Sequence, residues 1–210
     1  MPLPHNWSPL FDGLSPDELA LVTALSVTQS TRRGQVLFRE GEPGAAVYFV
    51  QSGAVRLSRV SADGKLHMMS RVQPGEVFAE AVLFSQAPYP ATAEVVVGGS
   101  VARLDNTALE ELIHRIPQLG ISFLRLMSTR LLEARQRGQE LATGDVAARV
   151  RALLRRLAKD GVVLGYTREE LASMAGTTRE TFTRLLLSWQ DAGLVDVDGR
   201  VIGIAHLPKE

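Results

Sequence analysis

Three features of the 210-residue sequence predict an α+β chain: an antiparallel β-sandwich, then a long helix, then a small helical domain closed by a hairpin. From Gly34 to Asp105 short apolar runs are cut by glycines. After Asp105 the apolar spacing lengthens to three and four residues. Past Thr143 two helix-start signals lie ten residues apart and an Asp-Gly pair follows them. Together they place the domains at residues 1–106, 107–142 and 143–210.

In the first region, Val47-Tyr48-Phe49-Val50, Ala54-Val55-Arg56-Leu57 and Ala93-Glu94-Val95-Val96-Val97 carry the β-branched and aromatic residues that suit a half-buried pleated surface. Gly34, Gly41, Gly44, Gly53, Gly64, Gly75 and Gly98-Gly99 are read as the turns between short strands. Ala62-Asp63-Gly64-Lys65 is a hairpin turn, because Asp-Gly tolerates positive φ. The expectation is a sandwich or jelly roll.

Asp105-Asn106 offers a cap for a helical stretch reaching about Ala142, and Pro117 divides it into a short and a long piece. In the long piece Leu124, Met127, Leu131, Ala134, Gly138 and Leu141 recur at alternating spacings of three and four, a heptad seam. A second apolar row, Phe123, Leu126 and Leu132, lies to one side and suits the sandwich. A helix with two apolar faces wants two partners, which favours a parallel dimer helix over a helix buried in its own domain.

Thr143-Gly144-Asp145 interrupts the seam, and Asp145 can cap a helix whose apolar positions are Val146, Val150, Leu153, Leu154 and Leu157. Next come a strand-like Val162-Val163-Leu164 and two capping-box spacings, Thr167-Arg168-Glu169-Glu170 and Thr177-Thr178-Arg179-Glu180. Between them Ala175-Gly176-Thr177 is a turn in which Gly176 can adopt a left-handed conformation. Helix, glycine turn, helix is a helix-turn-helix. Phe182, Leu185, Leu186 and Trp189 form the buried stripe of its second helix, and Gly193 ends it. Asp198-Gly199 then joins Leu194-Val195-Asp196-Val197 to Val201-Ile202-Gly203-Ile204 as a wing.

Arg179, Glu180, Thr183 and Arg184 fall opposite that stripe. An arginine fork matches guanine O6 and N7, and a carboxylate accepts from cytosine N4, so Arg179, Glu180 and Arg184 are the candidate base readers. Arg168, Thr178, Thr181 and Thr183 are the candidate contacts to the phosphate backbone, the first three lying near helix starts. A solvated, salt-bridged surface would show the same Arg-Glu-x-x-x-Arg face; the glycine turn before it and the wing after it favour double-stranded DNA.

Composition narrows the classes. The 23 basic and 23 acidic residues balance, so cationic contacts to nucleic acid must be placed locally. With no cysteine, disulfides, thiolate catalysis and Cys-ligated iron–sulfur clusters are excluded. The start Met1-Pro2-Leu3-Pro4-His5 lacks a signal-peptide pattern and no run of about 18 apolar residues occurs, so a cytoplasmic protein without a membrane partner is expected. Lacking a Ser/His/Asp set, a phosphate-cradling glycine loop or a metal-spaced histidine pair, the chain is not expected to be an enzyme. A ligand-sensing module that acts through protein contacts is the alternative to a DNA-binding regulator.

The run Thr167 to Arg184, with Arg179-Glu180-Thr181 opening the second helix, resembles the CRP/FNR regulators. Gly34 to Gly44 and Tyr48-Phe49-Val50-Gln51-Ser52-Gly53 resemble their sandwich strands, so the likeness covers nearly the whole chain. It implies a homodimer on a near-palindromic operator, a ligand in a cyclic-nucleotide-binding-like sandwich, and RNA polymerase as a partner if the protein activates.

The same alignment assigns the effector pocket to Phe78, Ala79, Glu80 and Ala81, to Tyr89, Pro90, Ala91 and Thr92, and to Met127 and Leu131. Here the chain departs from cyclic-AMP binders. Pro90 and Ala91 stand where those place an arginine and a hydroxyl on the cyclic phosphate, and Ala79 replaces a glycine. A buried phosphate without its cation is strongly disfavoured, so cyclic AMP is not the expected ligand. The Phe78-Ala79-Glu80-Ala81 run with Phe84 and Tyr89 looks most like the nitric-oxide-sensing denitrification regulators, which implies haem as a possible cofactor. No firm metal ligand is evident; His5, His67 and His114 are the candidate axial residues, and His206 is the weakest.

Overall fold

The computed structural model of the chain describes residues 9–61, 64, 66–85, 87–142 and 145–207. They form two compact units, residues 1–131 and 132–210. The first opens with α1 (Pro16–Leu25), which sequence patterning left unassigned. Its signal was present: Ser15 and Glu18 make a reciprocal capping box, and Pro16 sits at the first helical position.

Next come β1 (Val27–Thr31), β2 (Val36–Phe38), β3 (Ala46–Val60), β4 (Leu66–Val72), β5 (Val77–Phe78) and β6 (Thr92–Asp105). All pairings are antiparallel, in the order β1-β6-β3-β4, with β2 added to β6 and β5 to β3. Alternation along β3 divides the core. Val47 and Phe49 join Leu104, Leu109, Leu112 and Phe123 on one face, whereas Ala46, Tyr48 and Val50 join Phe38, Phe78 and Val95 on the other.

The runs expected as separate strands, Val47–Val50 and Ala54–Leu57, are one continuous strand. Gly53 and Gly99 are not turns; they lie where the β3–β6 register shifts, so close together that a Cβ on Gly53 would collide with the Val97 carbonyl and one on Gly99 with that of Ser52. Glycine marks backbone approach here. Of the expected hairpin turn, Ala62, Asp63 and Lys65 lie outside the described residues; Gly64 has a φ of 79°.

Two helices follow, α2 (Asn106–Arg115) and α3 (Pro117–Ala142), divided before Pro117 as expected. Asp105 is the cap residue of α2, but its side chain does not cap it; the carboxylate pairs instead with Arg103. Asn106 donates to the carbonyls of Gly44 (2.9 Å) and Val82 (3.2 Å), tying the helix start to the sheet loops.

On α3, Phe123 is buried and Leu126 packs against the same core, but Leu132 does not extend that row: it is 66% exposed. The seam is open to solvent in the single chain, with Leu124 68% and Leu131 71% exposed, Ala134 and Gly138 also exposed, and Met127 half-buried. The side chain of Leu141 lies outside the described residues.

The second unit holds α4 (Val146–Leu157), β7 (Val162–Val163), α5 (Arg168–Met174), α6 (Arg179–Asp191), β8 (Val195–Asp198) and β9 (Val201–Ile204). Asp145 caps α4 by accepting from the Ala147 amide at 2.8 Å, and Val150, Leu153 and Leu154 are its buried face. The wing is a three-stranded sheet ordered β7-β9-β8 and turning at Gly199, φ 56°.

Candidate nucleic-acid interface and ligand site

α5 and α6 are set by their caps. Thr167 and Glu170 form the expected capping box, the Thr167 Oγ1 accepting from the Glu170 amide and the Glu170 carboxylate from the Thr167 amide. The second box does not form. Thr178 rather than Thr177 is the cap, and its hydroxyl accepts from the Thr181 amide at 3.3 Å, because helical geometry begins at Arg179 and the third helical position is threonine. Gly176 takes a φ of 63°, which an L side chain rarely adopts.

One residue that sequence patterning missed holds this turn. Arg149 on α4 donates from Nε to the Ala175 carbonyl (3.0 Å) and from Nη2 to that of Gly176 (3.1 Å), occupying two acceptors at the α5 C-terminus. The sequence carries no mark of this role: Arg149 is one of four arginines on α4, with Arg151, Arg155 and Arg156.

With Phe182 and Leu186 wholly buried and Leu185 and Trp189 half-buried, the opposite side of α6 is displayed. Arg179, Glu180, Thr183, Arg184 and Leu187 line one shallow groove there. The three candidate base readers are therefore brought together, and all three are exposed. Thr183 lies between them and is half-buried, Thr181 is half-buried, and Thr178 is exposed. The Thr178 and Thr181 hydroxyls are 3.2 Å apart and serve the cap. Arg168 is half-buried at the start of α5, with Nη1 buried and making no hydrogen bond. Arg200 is exposed at the wing turn, a cation that sequence reading had not singled out.

The predicted ligand-site residues are distributed unevenly. Phe78 is 1% exposed and belongs to the sheet core. Tyr89 stacks on Phe38 with ring centroids 3.8 Å apart, and its hydroxyl donates to the Ala46 carbonyl and accepts from the Ala46 amide, both at 3.1 Å. Ala91 is buried, while Ala81 and Pro90 are exposed. Thr92 Oγ1 accepts from the Glu40 amide at 3.0 Å. Ala79 has a left-handed backbone, φ 63°.

Glu80 is the one acid of this group. It opens a short 3₁₀ turn, Glu80–Val82, and one carboxylate oxygen lies 3.5 Å from Arg130 Nε on α3. Burial pushes its carboxyl above the usual carboxylate range, opposed by its own backbone amide and by Arg130. The pair ties the Glu80–Val82 turn to the long helix.

His5 lies outside the described residues, and His67, His114 and His206 are exposed. An exposed imidazole does not fit the buried axial position haem requires. Among the described residues no group of three or more His, Asp or Glu side chains is placed to hold a metal ion, and no helix is long and apolar enough to cross a membrane.

Residues 28–116 match the cyclic nucleotide-binding domain family and residues 148–209 the Crp-like helix-turn-helix domain family. The cyclic AMP receptor protein of Thermus thermophilus is 32% identical over 190 residues, covering 90% of this chain and 88% of that protein. The CRP-like cAMP-activated global transcriptional regulator of Mycobacterium tuberculosis is 28% identical over 205 residues, covering 93% and 92%. The crystal structure of the Thermus thermophilus catabolite activator protein superposes with a TM-score of 0.61 at 30% identity, covering 95% of each chain.

Proposed function

Because the chain belongs to the CRP/FNR family of DNA-binding transcription regulators, we propose that it acts as a homodimer whose α6 helices read the two halves of a near-palindromic operator through Arg179, Glu180 and Arg184. The observation that carries this reading is the arrangement of α6: its apolar stripe is buried, and two arginines and a glutamate share one exposed groove on the other side. Arg168, Thr178, Thr181 and Thr183 position the helix on the phosphates, with Arg200 at the wing. The exposed Leu124 and Leu131 supply the dimer seam. As an activator, the dimer would have RNA polymerase as its further partner.

The regulating ligand is a small molecule other than cyclic AMP. The two relatives named for cyclic AMP do not transfer that ligand here, because Pro90 and Ala91 offer no cation to a cyclic phosphate. The polar group available is Glu80, and a ligand that bonds its carboxylate competes with Arg130. Releasing or tightening that pair acts on α3, which runs from the first unit into the second.

Binding of the full-length protein to its operator tests the base-reading assignment. Arg179→Ala and Arg184→Ala are each expected to weaken binding by about 1 to 3 kcal/mol and to relax discrimination at one base pair. An equal loss on every sequence would assign these arginines to phosphates instead.

A further inference from the structure

Beyond the charged readers, we propose that Leu187 is a specificity-determining residue that packs on the C5-methyl of a thymine in the operator's major groove; the inference rests on the DNA reading above. Leu187 stands three residues past Arg184 and four past Thr183, so it continues their face of α6 and lines the same groove. It is 53% exposed, while its neighbour Leu186 is fully buried.

A leucine side chain has no donor or acceptor. It gains nothing from a phosphate oxygen, where lysine or arginine would serve, and nothing from the polar edges of guanine, cytosine or adenine. The one apolar group on a base edge in the major groove is the thymine methyl. Covering Leu187 with that methyl removes two apolar surfaces from water at once.

Position separates this contact from those of the arginines. Leu187 lies eight residues beyond Arg179, about 12 Å along the helix axis, or roughly three to four base-pair steps of about 3.4 Å. The thymine it meets is therefore in a different base pair from the one bonded by Arg179, and the half-site carries a preference for thymine that no hydrogen bond explains.

The experiment replaces thymine by deoxyuridine, which deletes only the methyl. An operator selected with the full-length protein is resynthesised with each thymine exchanged in turn, symmetrically in both halves, and its Kd is measured for wild type and Leu187→Ala. At one thymine per half-site, uracil should weaken wild-type binding about fourfold per half, the effect of one buried methyl, and leave Leu187→Ala unchanged. Equal losses in both proteins, or no thymine that responds, would overturn the assignment of Leu187 while leaving the arginine readers intact. Failure to select any operator would instead overturn the DNA reading of α6, and Leu187 with it. Leu187→Met, which keeps an apolar side chain of similar volume, should retain the uracil sensitivity that Leu187→Ala loses, and uracil sensitivity equal to wild type in Leu187→Asn would overturn the assignment even if the alanine variant folds poorly.

Discussion

Ala79 is a non-glycine residue held at a φ of 63° beside Glu80. A left-handed conformation costs an L residue about 1 to 2 kcal/mol, and such strain persists where the surroundings fix the backbone. Ala79→Gly should therefore raise unfolding stability by about 1 kcal/mol despite the added entropy of the unfolded glycine. A lower urea midpoint for the variant would show that the Ala79 methyl contributes more than its backbone costs. Glu80 makes a pH prediction. Its carboxyl is raised in the folded chain, so between the ordinary value of 4.5 and the raised one the native state keeps a proton that the unfolded state has released. Stability must then fall as pH climbs through that window and stay reduced above it. Urea titrations across the carboxylate range should show a shallower fall for Glu80→Gln than for wild type; parallel curves would place the titration elsewhere. Arg149 belongs to this scale too. Arg149→Ala removes two charged hydrogen bonds from the turn before α6, and operator affinity is expected to drop by about 1 to 3 kcal/mol. Arg149→Lys should recover only part of this, since an ammonium lacks the planar fork. Anisotropy titrations that rank lysine equal to arginine would contradict the positioning role.

The element on which the proposed assembly depends is α3. A helix that buries Phe123 on one side and leaves Leu124 and Leu131 more than two-thirds exposed on another is finished on one face only. Leu131→Glu places a charge where the seam would close, and the exposure of Leu131 in the single chain means the fold itself loses no core contact. Sedimentation should give a dimer for wild type and a monomer of unchanged circular dichroism for the variant. An unchanged mass would remove the seam from the account. The same element shows where heptad reasoning reaches its end. Phe123 and Leu126 meet the core as their spacing implies, whereas Leu132, nine residues beyond Phe123 and so half a turn round the helix from it, is exposed.

At the scale of the molecule, the sequence displayed most clearly what local chemistry determines. The capping box at Thr167, the left-handed Gly176 and the Asp198-Gly199 turn each need particular residues at particular offsets, so the helix-turn-helix and its wing were legible. So was the face of α6, because a 3.6-residue period separates Phe182 and Leu186 from Glu180 and Arg184, while Arg179 is displayed as the first residue of the helix. Strand continuity was not. Gly53 and Gly99 read as turns, but their small size serves one strand passing close to another, a demand set by a partner almost fifty residues away. Arg149 was hidden for the same reason, since its carbonyl partners lie 26 and 27 residues on. The Glu80–Arg130 pair spans fifty residues and likewise has no local signature. Selection of bound duplexes from a random pool by the purified full-length protein tests the central claim most directly. A two-fold symmetric site, with half-sites about one helical turn apart and its symmetric preference lost in Arg179→Ala, is the predicted result. Enrichment of a single unpaired half-site, or of no sequence at all, would contradict a dimer that reads its operator through α6.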